Sequence, residues 1–257
     1  MKTRRKDSVR LPMPAAGALQ ISVSYEDERP DFAILYVHGF GSSGFGEKAE
    51  ALEAACARRG WTYATFDFRG HGQSTGTLLE LRGSILLEDL EAIREQLVSR
   101  GIRRFFPVGS SMGGWAAAWF TMRHPSSVPA CVLIAPALDF IHSRWTALTE
   151  EERRHWKETG RLRVQNQWLD TEIGYGLVEE IDLFPQERLA SSLTRPVLIL
   201  HGMKDDVVPY TSSVAFLEKA VHPQIELRLF KDGDHRLLAY KNEMAEAACE
   251  FFARRNA

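Results

Sequence analysis

The chain has 257 residues, 44% of them apolar and 26% charged, and its 32 lysines and arginines against 34 acids leave a net charge of −2. This balance excludes a nucleic-acid-binding surface read from bulk charge, and it excludes a disordered chain. A length of this order suits one domain that buries roughly three quarters of its unfolded surface.

The basic start KTRRK (2–6) is expected to be a frayed, solvated tail, and DSVRLPMPAAG after it lacks the apolar region of a secretory signal. A first strand is expected near 18–25. From there strands and helices alternate: strand 32–38 (FAILYVH), helix 47–59, strand 61–67, helix 84–99, strand 103–109, helix 112–123 and strand 129–135. Such alternation predicts parallel strands joined by crossover helices. In the helix at 84–99, Leu86, Leu90, Ile93 and Leu97 share one face, with acids and arginines between them. The uncharged stretch 105–122 approaches spanning length, but Pro107, Gly109, Gly113 and Gly114 break it into strand, turn and helix, so no membrane span is expected.

From about 139 to 193 the alternation stops, and a polar segment bearing Trp145, Trp156, Trp168 and Tyr175 takes over, which predicts an inserted cap. The pattern resumes with strand 196–201, a helix near 211–221, strand 224–230 and a last helix in which Met244, Ala248, Phe251 and Phe252 share a face. The prediction is one domain over 1–257, interrupted once by the cap at 139–193. Cys56, Cys131 and Cys249 form no C-x-x-C and cannot all pair, which suggests buried thiols in a reducing compartment and a cytoplasmic location.

Two glycine-rich turns carry the chemistry. Gly39-Phe40-Gly41-Ser42-Ser43-Gly44 fits the G-x-G-x-x-G of a dinucleotide-binding turn, with Asp67 near the place of a ribose-binding acid. Gly109-Ser110-Ser111-Met112-Gly113 fits G-x-S-x-G between a strand and a helix. There the turn is tight, and small residues must flank the serine for its hydroxyl to stand clear of the sheet. Ser111 is the candidate nucleophile. Asp205 and His235 follow in loops after two later strands, at the sheet end where α/β sites are built. Asp206 competes with Asp205 for the acid's role.

The segments GSSMGGW, HGMKDDVVP and GDHR resemble the nucleophile, acid and histidine segments of the serine α/β-hydrolases. Over roughly 32–255 the chain is similar to small microbial carboxylesterases and to the mammalian mitochondrial acyl-protein thioesterase group. The resemblance implies an α/β-hydrolase fold, with a mostly parallel central sheet, helices on both faces and a small cap. It implies a Ser111, Asp205 and His235 triad, the acid assigned to Asp205 by the Gly202-x-x-Asp205-x-x-Val208-Pro209 spacing. It further implies an oxyanion hole from the backbone N–H groups of Phe40 and Met112. H-G-F-G replaces the H-G-G-G form of that loop, which puts a ring at position 40. The dinucleotide reading leaves the triad without a role, so Asp67, in DFRGHGQS (67–74), is expected to be structural. His71 and His201 are expected to pack strand-end loops.

The expected function is hydrolysis of carboxylic esters of small or medium acyl groups through an acyl-enzyme, with an acyl-protein thioesterase as the alternative and a peptidase or slow-turnover receptor behind it. No metal and no cofactor are expected. The expected partner is a small-molecule ester or thioester, with no nucleic acid, and a monomer is favoured. Trp145, Trp168 and Tyr175 are candidate substrate contacts, or else the cap's own core.

Overall fold

The computed structural model describes residues 5–13, 17–25, 31–165 and 169–255. Its strands are β1 (Arg5–Met13), β2 (Gly17–Tyr25), β3 (Phe32–Val37), β4 (Tyr63–Asp67), β5 (Arg104–Ser110), β6 (Cys131–Ile134), β7 (Arg161–Gln165), β8 (Asp170–Gly174), β9 (Val197–Gly202) and β10 (Ile225–Phe230). Its helices are α1 (Glu47–Arg58), α2 (Gly83–Ser99), α3 (Met112–Arg123), α4 (Phe140–Thr146), α5 (Glu150–Thr159), α6 (Gly176–Glu179), α7 (Gln186–Ser192), α8 (Tyr210–Lys219) and α9 (Lys241–Ala253).

Eight strands form one sheet in the order β1-β2-β4-β3-β5-β6-β9-β10. The β1/β2 and β2/β4 pairs are antiparallel, and every later pair is parallel. The inner parallel strands β3, β5, β6 and β9 are buried at nearly every position because both faces of the sheet are covered there, and side chains alternate between two cores, whereas the edge strand β10 is mostly exposed or half-buried. In β3, Ala33, Leu35 and Val37 face the core under α2 and α3, with Leu86, Leu90, Trp115 and Trp119. Ile34 and Tyr36 face the core under α1 and α9, with Leu52, Cys56, Met244 and Phe252. The three cysteines are free and buried.

The expected basic tail is corrected in part. Residues 5–13 pair along their whole length with β2, Arg5 opposite Tyr25 and Met13 opposite Gly17, so backbone hydrogen bonding of an edge strand replaces fraying there. Residues 2–4 lie outside the described part. Between β6 and β9 the chain forms α4 to α7 and the antiparallel β7/β8 hairpin. This segment is fixed to the body at α2 and α3. Arg82 donates to the Gly176 carbonyl and pairs with Glu179, Glu180 accepts from the Ser84 amide, and Phe184 packs edge-on against Trp115 and Trp119. No helix among the described residues is long and apolar enough to cross a membrane.

Candidate active site

β5 delivers the chain into α3 through Ser111, whose φ of 55° and ψ of −118° lie where an L side chain is strained. The flanking glycines are a steric necessity. A Cβ on Gly109 would lie 2.3 Å from the Gly113 oxygen, and one on Gly113 would lie 2.2 Å from the Val37 oxygen. Ser111 is half-buried, at the C-terminal edge of the parallel strands.

The loops after β9 and β10 bring two more groups to it. His235 Nε2 is 3.1 Å from Ser111 Oγ, and His235 Nδ1 is 2.8 Å from Asp205 Oδ2. Asp205 Oδ1 accepts the amides of Val207 at 2.9 Å and Val208 at 2.8 Å. Burial would raise the Asp205 pKa, but hydrogen bonds from His201 and His235, the His235 charge and the Val208 amide outweigh it and hold the carboxyl well below its usual range. Asp206 is exposed and makes none of these contacts. The histidine and the acid thus come together through loops 30 residues apart in sequence.

The turn after β3 lies against this group. A Cβ on Gly39 would meet Ser111 Cβ at 3.2 Å. The amides of Phe40 and Met112 donate to no backbone carbonyl among the described residues, and the Met112 amide is a free donor of the first turn of α3. The Phe40 ring packs edge-on against His71, 6.1 Å between centroids. Asp67 does not face the site. Its carboxylate accepts from Ser43 Oγ at 3.0 Å, the Gly44 amide at 2.8 Å and the Gln73 amide at 2.9 Å, tying two loops together.

His201 and Lys48 exceed what their sequence context suggested. His201 is no loop filler: it lies in β9, wholly buried, and bonds the acid. A histidine four residues before the acid in HGMKD was its only signal. Lys48, in α1, donates to Ser110 Oγ at 2.7 Å, next to Ser111 in the chain. Burial and the Arg236 charge lower its pKa to about 8.

Trp145 and Tyr175 are half-buried and close a three-ring cluster with the fully buried Trp156, at centroid distances of 6.4, 6.2 and 5.8 Å. Trp168 lies outside the described residues. Beside it, Leu169 covers the turn after β3, since a Cβ on Gly41 would lie 2.7 Å from its Cδ2. Among the described residues no cluster of histidine, cysteine and carboxylate could hold a metal.

The family model described as the alpha/beta hydrolase fold matches residues 33–159. The mouse (Mus musculus) protein named palmitoyl-protein thioesterase ABHD10, mitochondrial, is 30% identical over 207 residues, which span 79% of this chain and 69% of that protein. The solved structure of alpha/beta hydrolase domain-containing protein 10 from mouse superposes with a TM-score of 0.83 at 24% identity, covering 98% of this chain and all of that one. Est1E from Butyrivibrio proteoclasticus, solved with ferulic acid bound, superposes with a TM-score of 0.83 at 20% identity over 96% of this chain and 98% of that one. At those identities the two structures speak for the fold alone.

Proposed function

The chain belongs to the α/β-hydrolase fold family, and on that premise we propose that it is a serine hydrolase that cleaves carboxylic esters of small or medium acyl groups through an acyl-enzyme. The observation that carries this reading is the continuous hydrogen-bonded line from Ser111 Oγ through His235 to Asp205. In it the Ser111 hydroxyl donates to His235 Nε2, and the His235 Nδ1–H donates to Asp205.

Ser111 attacks the ester carbonyl while His235 takes its proton. Asp205 holds the imidazole tautomer and balances the imidazolium charge. The amides of Phe40 and Met112 receive the developing oxyanion. His235 then returns the proton to the leaving alcohol, and water releases the acyl group by the same steps. The segment 139–193 serves as the cap, and the open faces of Trp145 and Tyr175 line the acyl side of the pocket.

A second reading has an observation of its own: the mouse relative carries the name of a palmitoyl-protein thioesterase, and a thioester would pass through the same triad with a better leaving group. One experiment separates the two. It measures kcat/KM for matched oxygen esters and thioesters across acyl lengths, with Ser111→Ala as the control. A Ser111-dependent optimum on short oxygen esters supports the carboxylesterase, and a long-acyl thioester optimum supports the thioesterase. Turnover that survives Ser111→Ala, or none on either series, overturns both.

A further inference from the structure

Asp205 meets a second imidazole. His201 brings Nε2 to 3.1 Å from Asp205 Oδ2 and to 2.9 Å from the Val208 carbonyl oxygen. Both neighbours of that nitrogen are acceptors, so Nε2 carries the proton and donates. Nδ1 lies 2.8 Å from the hydroxyl of Ser213, buried in α8, whose rotor supplies the matching hydrogen. The oxygen that takes the His235 Nδ1–H therefore takes a second N–H from behind, while the amides of Val207 and Val208 hold the other oxygen.

We propose that His201 is a positioning residue of this site, fixing the Asp205 carboxylate toward His235 and setting the proton affinity of His235 by drawing on the same oxygen. The inference rests on the Ser111, His235 and Asp205 reading above. A carboxylate oxygen shared between two donors is a weaker base toward each of them. With the His201 donor removed, Asp205 turns its full charge on His235, and the imidazole holds its proton to higher pH. Lys48, which interacts with the Asp205 charge, and the Asp234 and Arg236 charges that act on Lys48 are the same before and after, so a change in titration isolates His201. A histidine that merely filled the core would lower stability when replaced and leave the pH profile where it was.

The test is the pH dependence of kcat and kcat/KM on one activated ester for wild type, His201→Leu and His201→Gln, with thermal unfolding recorded alongside. His201→Leu is expected to lower kcat about tenfold, the worth of one hydrogen bond to a charged group. KM should stay near wild type, and the acid limb of kcat/KM should move to higher pH. His201→Gln, whose amide nitrogen reaches toward the same oxygen, is expected to restore both. An unmoved limb and unchanged kcat in His201→Leu, or a glutamine variant no better than the leucine one, overturns the proposal. Should His201→Leu not fold, Ser213→Ala is read in its place: a limb displaced in the same direction supports the proposal, and an unmoved one overturns it. Ser111→Ala runs in parallel. Turnover without Ser111 removes the triad reading and this inference together, whereas serine-dependent turnover with an unmoved limb removes this inference alone.

Discussion

Ser111 brings its hydroxyl to His235 from a strained backbone, and the strain belongs to the sharp turn between β5 and α3. Glycine alone enters that region without penalty. Ser111→Gly is therefore expected to raise the unfolding free energy by about 1 kcal/mol, strain relief less glycine's own entropic cost, while abolishing turnover. Ser111→Ala abolishes turnover with no such gain, because it keeps the Cβ. Urea unfolding of the two variants checks this, and equal stability would count against the strain. For the acid, Asp205→Asn is expected to lower kcat by about 10⁴, since an amide imposes the wrong imidazole tautomer. Asp206→Asn, exposed and outside the network, is expected to leave kcat close to wild type. Steady-state kinetics of the pair would expose a wrong assignment if Asp206→Asn were the more damaging. These candidate residues were legible in the sequence because a turn this tight needs glycines at 109 and 113, where a Cβ would strike backbone, and because Asp205 keeps the spacing that the resemblance implies. His201 was not, because a histidine inside an apolar strand looks like packing until the loop after it is seen to fold back over it.

At the level of elements, the site depends on how closely α3 approaches the sheet. Gly113 lets the first turn of α3 touch the carbonyls of Val37 and His38, where a Cβ would stand 2.2 and 2.3 Å away. Gly113→Ala must push the helix off β3 and carry Ser111 with it, so near-complete loss of turnover is expected, with or without loss of soluble protein. Gly46 is the control. It caps α1 at φ −88°, and the nearest atom to its Cβ would be 3.9 Å away. Gly46→Ser is expected to retain activity and to gain a few tenths of a kcal/mol at most, because serine adds a capping oxygen where the backbone already suits it. Kinetics and thermal unfolding of both variants test the contrast, which fails if Gly113→Ala behaves like Gly46→Ser. The same distinction explains which elements could be read in advance. Strands β3, β5, β6 and β9 announce themselves because burial on two faces demands unbroken apolar runs. The β7/β8 hairpin does not, because most of its positions are exposed or half-buried and few had to be apolar. The edge strand β1 was hidden for a related reason: its pairing with β2 is made by backbone groups, and its basic start read as a solvated tail.

Across the whole molecule, the groups that hold the site together also set its response to acid. His38 is fully buried between the turn after β3 and the end of β4, with Nδ1 2.8 Å from the Gly39 oxygen and Nε2 accepting the Phe68 amide at 3.0 Å. Burial, followed by the neighbouring His71, lowers its pKa from 6.5 to about 3, against the opposing pull of the Gly39 carbonyl. Burial lowers the His71 pKa as well. The unfolded chain then binds more protons than the folded one between pH 6.5 and about 3, so the stabilising effect is complete above pH 6.5 and is lost progressively as pH falls through that window. Asp205 adds a second window that opens near the acid end of the first. Its folded pKa is held under 3.8, so its contribution is present above that value and is lost as pH falls further. By pH 5 the His38 share of the loss is on the order of 2 kcal/mol. Protonation would also cost the Phe68 amide its acceptor, so acid should open the contact between the β3 and β4 loops where Phe40 is held. Urea midpoints measured from pH 4 to 8 are expected to fall below pH 6.5 in the wild type. In His38→Gln, which starts less stable at pH 7 but has no imidazole to titrate, the curve should be flatter over the same range. Parallel curves for the two proteins would mean that His38 does not control the acid response.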